Sequence, residues 1–176
     1  DLSFSEEEGL TVPTSESRRT DWIPQAVASV EWGIPYLDED TLYLTAEYFF
    51  NDAGYRDDSL YPWLISQREY APLYLGRHYV GAGVVVPRPG NWNDSTILAT
   101  GIANLSDGSA IARLDYQVRV LTRLSLFAYA AAGLGQNGEF RFKVEVPAVP
   151  NIEGLEDGAT IEAPRWSLGF WLSVDL

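Results

Sequence analysis

Trp166-Ser-Leu-Gly-Phe-Trp-Leu-Ser-Val-Asp-Leu176, the last eleven residues, alternate on a strict two-residue period. Trp166, Leu168, Phe170, Leu172, Val174 and Leu176 fall on one side, and Ser167, Gly169, Trp171, Ser173 and Asp175 on the other. Successive side chains of an extended strand point to opposite faces. The period therefore predicts a β-strand with one apolar and one mixed face.

The same period recurs upstream. Residues 26–34 set Ala26, Ala28, Val30, Trp32 and Ile34 against Val27, Ser29, Glu31 and Gly33. Residues 41–51 set Leu42, Leu44, Ala46, Tyr48 and Phe50 against Tyr43, Thr45, Glu47, Phe49 and Asn51. Residues 77–86 alternate His78, Val80, Ala82, Val84 and Val86 with Arg77, Tyr79, Gly81, Gly83 and Val85. Residues 110–118 oppose Ala110, Ala112, Leu114, Tyr116 and Val118 to Ile111, Arg113, Asp115 and Gln117. Residues 123–134 oppose Leu124, Leu126, Ala128, Ala130, Ala132 and Leu134 to Arg123, Ser125, Phe127 and Tyr129. Residues 95–105 are apolar on both sides, so the period leaves their facing open.

These seven segments are about as long as the 9–11 residues a tilted strand needs to cross a hydrocarbon layer. Sandwich strands average about 5–6 residues. A soluble β-sandwich also alternates, and length alone does not separate the two. The mixed faces do: Glu31, Glu47, Arg77, Arg113, Asp115 and Arg123 fall there, and a dry core between two sheets does not accept unpaired charge. A hydrated interior does.

A terminal strand that stays apolar to its last residue resembles the closing strand of bacterial outer-membrane β-barrel proteins. In that family this strand carries the insertion signal, which here would comprise Gly169, Phe170, Leu172, Val174 and Leu176; Leu176 stands where the family usually has an aromatic. The resemblance implies an all-β fold, a transmembrane antiparallel up-and-down β-barrel with about seven full strands in this chain. Residues 1–176 then form a single barrel segment in the bacterial outer membrane, with outer-membrane lipid as its surroundings and the C-terminus periplasmic. Short periplasmic turns and long outer loops are the rule for such barrels. Counting back from the C-terminus puts 5–25, 52–73 and 135–163 outside as extracellular loops. The short connections at 35–40, 87–94 and 119–122 fall inside, and the tight one at Asp107-Gly108 falls outside. An eighth strand over Glu139–Val146 would break this order.

The first full strand then descends from the surface and needs a rising strand before it, for which only Asp1–Ser5 is available, with Leu2 and Phe4 alternating. Five residues are too short to cross, and a bare sheet edge in lipid strands several kcal/mol per unpaired backbone group. The chain is accordingly expected to be the C-terminal portion of a larger barrel, paired with the N-terminal part of the same barrel or with another envelope protein. Asp1 is not an initiator Met, so residues upstream are expected to have been removed.

Composition narrows the function. The chain has no Cys, which removes disulfides, thiolate metal sites and Cys nucleophiles together. Its net charge of −13 disfavours nucleic acid, whose phosphates need a basic surface. Its single His, His78, lies on the apolar side and reads as an interfacial aromatic, not as a triad base. Glu31 and Glu47 lie on adjacent strands and could approach as a carboxylate pair, but lining a wet interior is the simpler role. Acidic runs at Glu6–Glu8, Asp38–Asp40 and Asp57-Asp58 lack calcium-loop spacing. No catalytic site, cofactor or metal is expected, and the chain reads as a non-enzyme.

Glu31, Glu47, Arg77, Arg113, Asp115 and Arg123 are expected to line the lumen. The segment 52–73 is too rich in Tyr55, Tyr61, Trp63 and Tyr70 for a freely solvated loop, so it is expected to fold over the mouth, enter the lumen or bind a partner, with a short helix around 60–67. Two functions follow from this reading: a pore for passive passage of small solutes, or a non-conducting barrel acting as a structural anchor or component of a multiprotein envelope complex.

Overall fold

In the computed structural model of the chain the described residues are 2–7, 10–16, 22–36, 40–56, 61, 64, 73, 75–91, 94–146 and 158–174. The alternating segments all form strands: β3 (Gln25–Tyr36), β4 (Asp40–Asn51), β5 (His78–Pro87), β6 (Ser95–Asn104), β7 (Ser109–Leu121), β8 (Leu124–Gly135) and β11 (Trp166–Val174). Outside them lie β1 (Leu2–Glu7), β2 (Leu10–Glu16), β9 (Lys143–Val146) and β10 (Ala159–Glu162). The fold is an all-β, seven-stranded antiparallel up-and-down sheet in the order β11-β8-β7-β6-β5-β4-β3. It is not closed, and β3 and β11 are its two edges.

Register decides what each face carries. One cross-strand row runs Trp32, Leu44, Val84, Ala99, Leu114, Ala130, Leu168 through all seven strands. A second runs Val30, Ala46, Ala82, Gly101, Ala112, Ala132, Trp166. The apolar sets of the separate strands thus merge into one continuous face with no Asp, Glu, Lys or Arg between the strand ends. Residues 95–105, open in sequence, are settled by their neighbours: Ile97, Ala99, Gly101 and Ala103 join the apolar face. A one-residue slip in any strand would have moved its whole apolar set to the other side.

The opposite face is mixed. Its rows run Glu31, Thr45, Gly83, Thr100, Arg113, Ala131, Ser167, and Gly33, Tyr43, Val85, Leu98, Asp115, Tyr129, Gly169. No second sheet covers either face among the described residues. The large apolar side chains are consequently exposed, Phe170 at 78% and Trp32 at 70%. Buried hydrophobics among the described residues are confined to Tyr61, Leu64, Leu75, Tyr79 and Val118.

The two long connections fall at one end of the meander. Residues 37–39, 88–94 and 122–123 link strands at one end, where β11 also ends; 52–77, 105–108 and 136–165 lie at the other. Residues 105–108 turn tightly because Gly108 takes a left-handed φ of 76°, its N–H donating to Asn104 O at 2.9 Å.

One expectation is corrected here. Leu2–Glu7 does not extend the sheet beside residues 26–34 but pairs with Leu10–Glu16 in a two-stranded sheet of its own, so the segment read as an outer loop holds a strand. Closing a two-residue connection costs far less chain entropy than pairing across some twenty residues. As the loop order required, Lys143–Val146 is no eighth member of the main sheet; it pairs with Ala159–Glu162 in the connection between β8 and β11.

Candidate functional site

The polar face of the sheet and the loop cluster at its long-loop end hold the polar chemistry of the described residues. On the face, Glu31 stands opposite Thr45, and Glu47 opposite Ser29 and Gly81, so the two residues are diagonal neighbours whose backbones lie about 7–8 Å apart by strand geometry. Both are exposed, and no hydrogen bond joins them. Arg113 and Asp115, two residues apart on β7, form a forked pair: Nε donates to both carboxylate oxygens at 3.0 and 2.8 Å and a terminal nitrogen donates at 2.6 Å. The same guanidinium lies 4.4 Å from the Tyr129 ring centroid, a cation–π contact that fixes it against the sheet. Phe127 and Trp171, directly opposed on β8 and β11, stack 4.9 Å apart at 2°. Gly169 is where Tyr129 lies, since a Cβ there would enter the phenol ring.

Two of the expected lining residues sit elsewhere. Arg123 is in the turn before β8, exposed at the strand end and not on the wall. Arg77 precedes β5, pairs with Asp52 across the root of the 52–77 connection, and sets its guanidinium 5.9 Å from the Phe50 ring on the apolar face. It braces the rim, because at the last residue before a strand the pleat no longer dictates side-chain direction. Gly169, Phe170, Leu172 and Val174 lie in β11; Leu176 is outside the described residues. His78 stacks between Tyr48 and Phe50 on the apolar face, with Nδ1 2.7 Å from the Tyr48 hydroxyl.

In the loop cluster at the long-loop end of the sheet, Glu139 is the organising group. Only 1% exposed, it accepts from the Tyr79 hydroxyl at 2.6 Å, from Asn104 Nδ2 at 2.9 Å and from the Leu73 backbone N–H. Its own N–H donates to Asp107 at 2.9 Å, and Asp107 also accepts from Asn104 at 2.8 Å and from Ser109 N at 2.7 Å. The Tyr79 hydroxyl in turn accepts from Gly76 N at 2.6 Å. Tyr61 and Leu64, both helical, are buried with Leu75 against this cluster, and Asn104 reaches the Tyr61 hydroxyl at 3.4 Å. One carboxylate thereby ties the 52–77 connection, β5, the 105–108 turn and the segment after β8 into one block. Burial pushes the Glu139 carboxyl up from its ordinary range, and the donors from Tyr79, Leu73 and Asn104 only partly offset this. Burial, then the charge of Asp107, pushes the Tyr61 hydroxyl up.

Of the expected mouth residues, Tyr61 is in the block, Tyr55 packs against it, and Trp63 and Tyr70 lie outside the described residues. Glu139, Asp107, Asn104 and Tyr79 were not singled out by sequence. The one available signal was Asn104-Leu-Ser-Asp-Gly108, a turn rich in side chains that bond their own backbone. Among the described residues no group of three or more His, Asp or Glu is placed to hold a metal ion. Neither protein-family models, curated proteins nor solved structures give a match to this chain.

Proposed function

We propose that this sheet is part of the wall of a bacterial outer-membrane β-barrel whose polar face bounds a pore for passive passage of small solutes. The observation that carries the reading is the register: seven strands align every apolar set on one exposed, uncharged face and every strand-borne Glu31, Glu47, Arg113 and Asp115 on the other. An exposed apolar face of this extent belongs against lipid or another apolar surface, because water does not tolerate it. Strands of 9–13 residues fit a hydrocarbon layer. The barrel's remaining strands come from its N-terminal part or from another envelope protein, its C-terminus is periplasmic, and it performs no catalysis.

The mouth block supports a second reading. Loops held down by a buried network restrict the opening, as a non-conducting barrel that anchors surface loops or an envelope complex requires. Single-channel recording of the purified assembly in planar bilayers separates the two. Stepwise openings are expected for the pore, and a silent bilayer containing verified inserted protein sinks it in favour of the anchor.

A further inference from the structure

The connection between β8 and β11 encloses a pocket of about 230 Å³ lined by Arg141, Arg165 and Lys143, the chain's single Lys. Glu162 is the one acid in its lining. Like charges gathered around one cleft repel each other unless an opposite charge sits among them. On the rest of the sheet the protein supplies that charge from its own side chains. Arg77, Arg88, Arg113 and Arg119 each stand beside an Asp. Among the described residues Arg141 and Arg165 have no ion-pair partner, in a chain whose net charge is −13.

The pocket is held in shape by its backbone. Gly138 and Arg141 exchange hydrogen bonds at 3.3 and 3.2 Å across Glu139 and Phe140, so the buried carboxylate of the loop cluster anchors the turn that delivers Arg141. The Gly135 carbonyl accepts from an Arg141 terminal nitrogen at 2.6 Å, which fixes the guanidinium and leaves its other donors for a ligand. The Lys143 backbone N–H donates to Asn137 Oδ1 at 2.6 Å, and Glu162 stands opposite Lys143 in the β9–β10 pair. Arg165 is fixed through its carbonyl, which accepts from Gly133 N at 2.9 Å. Gly133 belongs to the mixed face, in the row with Ile102 and Ile111, and a Cβ on it would meet Phe140 O at 3.1 Å and Arg141 Cβ at 4.0 Å. Arg141 therefore lies over the mixed face and not over the apolar one.

We propose that this pocket binds the phosphate of a small dissolved phosphomonoester. Three cations and one carboxylate leave the lining a net charge of +2, which matches the charge of about −1.5 to −2 that such a group carries at pH 7. Guanidinium forks hold phosphate oxygens in pairs. Phe142 gives the organic part of the ligand an apolar wall. The position over the mixed face favours a solute over a lipid headgroup of the same chemistry. The site needs neither a membrane nor a pore, so it goes beyond the function proposed above and does not depend on it.

Titration calorimetry of the full, purified protein with ribose 5-phosphate tests the proposal, with ribose as the uncharged control. Saturable binding of the phosphate ester and none of the sugar is expected. Arg165→Gln, an exposed position, is expected to weaken binding about tenfold or more, as loss of one charge-assisted contact does, and Arg141→Gln likewise. Glu162→Gln is expected to tighten it, because it removes the only negative charge in the lining; a purely structural role would give no gain. Arg119→Gln, at the other end of the sheet, should leave binding unchanged. No saturable binding by the folded protein overturns the proposal, and so does binding indifferent to both Arg165→Gln and Glu162→Gln. Flotation with phosphatidic acid vesicles presents the same phosphomonoester on a lipid. Capture there that Arg165→Gln abolishes, without binding of ribose 5-phosphate, overturns the dissolved ligand in favour of a lipid headgroup.

Discussion

Glu139 shows how much one side chain outside the strands can decide. Its two oxygens collect donors from Leu73, Tyr79 and Asn104, and the buried Tyr79 hydroxyl would lose its acceptor without it. Leaving a buried donor unsatisfied costs about 1–3 kcal/mol. Glu139→Ala is therefore expected to loosen the 52–77 connection by about that much, seen as faster limited proteolysis around Tyr55 with the main sheet intact by circular dichroism. Because its pKa is raised in the folded state, the protonated form is the one that folding favours. The contribution is fully present below the ordinary carboxyl pKa and is lost as pH rises through the raised value. Proteolysis is thus expected to slow on acidification. Glu139→Gln, a permanent neutral, should lose the pH dependence and part of the protection, because its amide nitrogen cannot accept from the donors that meet one of the two oxygens; unchanged pH dependence would show that another group is responsible.

Between elements, the β8–β11 junction is set by shape. Tyr129 occupies the space above Gly169, Arg113 lies on the Tyr129 ring, and Phe127 stacks on Trp171 one pair further along. Gly169 is therefore a packing requirement in addition to any part it plays in assembly. Gly169→Ala is expected to cost about 1–3 kcal/mol by overpacking. Tyr129→Ala should restore room, so the double variant is expected to be less destabilised than the sum of the singles. Additive losses in equilibrium unfolding would show that the ring and the glycine are independent. The element scale also marks the limit of periodicity: Arg77 and Arg123 fit the alternation when the strands are extended by one residue. Both lie just outside their strands, where turn geometry replaces the pleat.

For the molecule as a whole, the two faces make opposite demands. Ala128 lies mid-strand on the apolar face between Tyr116 and Phe170, whereas Ser125 lies on the polar face opposite Ser173. Arg on the lipid side near the bilayer midplane costs about 2–4 kcal/mol, and far less on a wet interior. Ala128→Arg is expected to abolish the folded, heat-modifiable band on a gel while Ser125→Arg leaves it. Equal tolerance at both sites would remove the membrane reading.

The strands, their number in the sheet and the division of each into an apolar and a mixed side were legible in the sequence, because a two-residue period is a local property that needs no partner. Residues 95–105 mark where that stops: with apolar residues on both sides, only pairing with Val84 and Leu114 assigns Ala99 its face. Tertiary structure alone decided the loop cluster around Glu139. Glu139 lies 60 residues from Tyr79 and 35 from Asn104, and nothing periodic links a loop carboxylate to donors that distant. It also decided that Leu2–Glu7 closes on its neighbour and that β3 and β11 remain edges, since pairing depends on the relative cost of competing partners and not on any strand's own pattern.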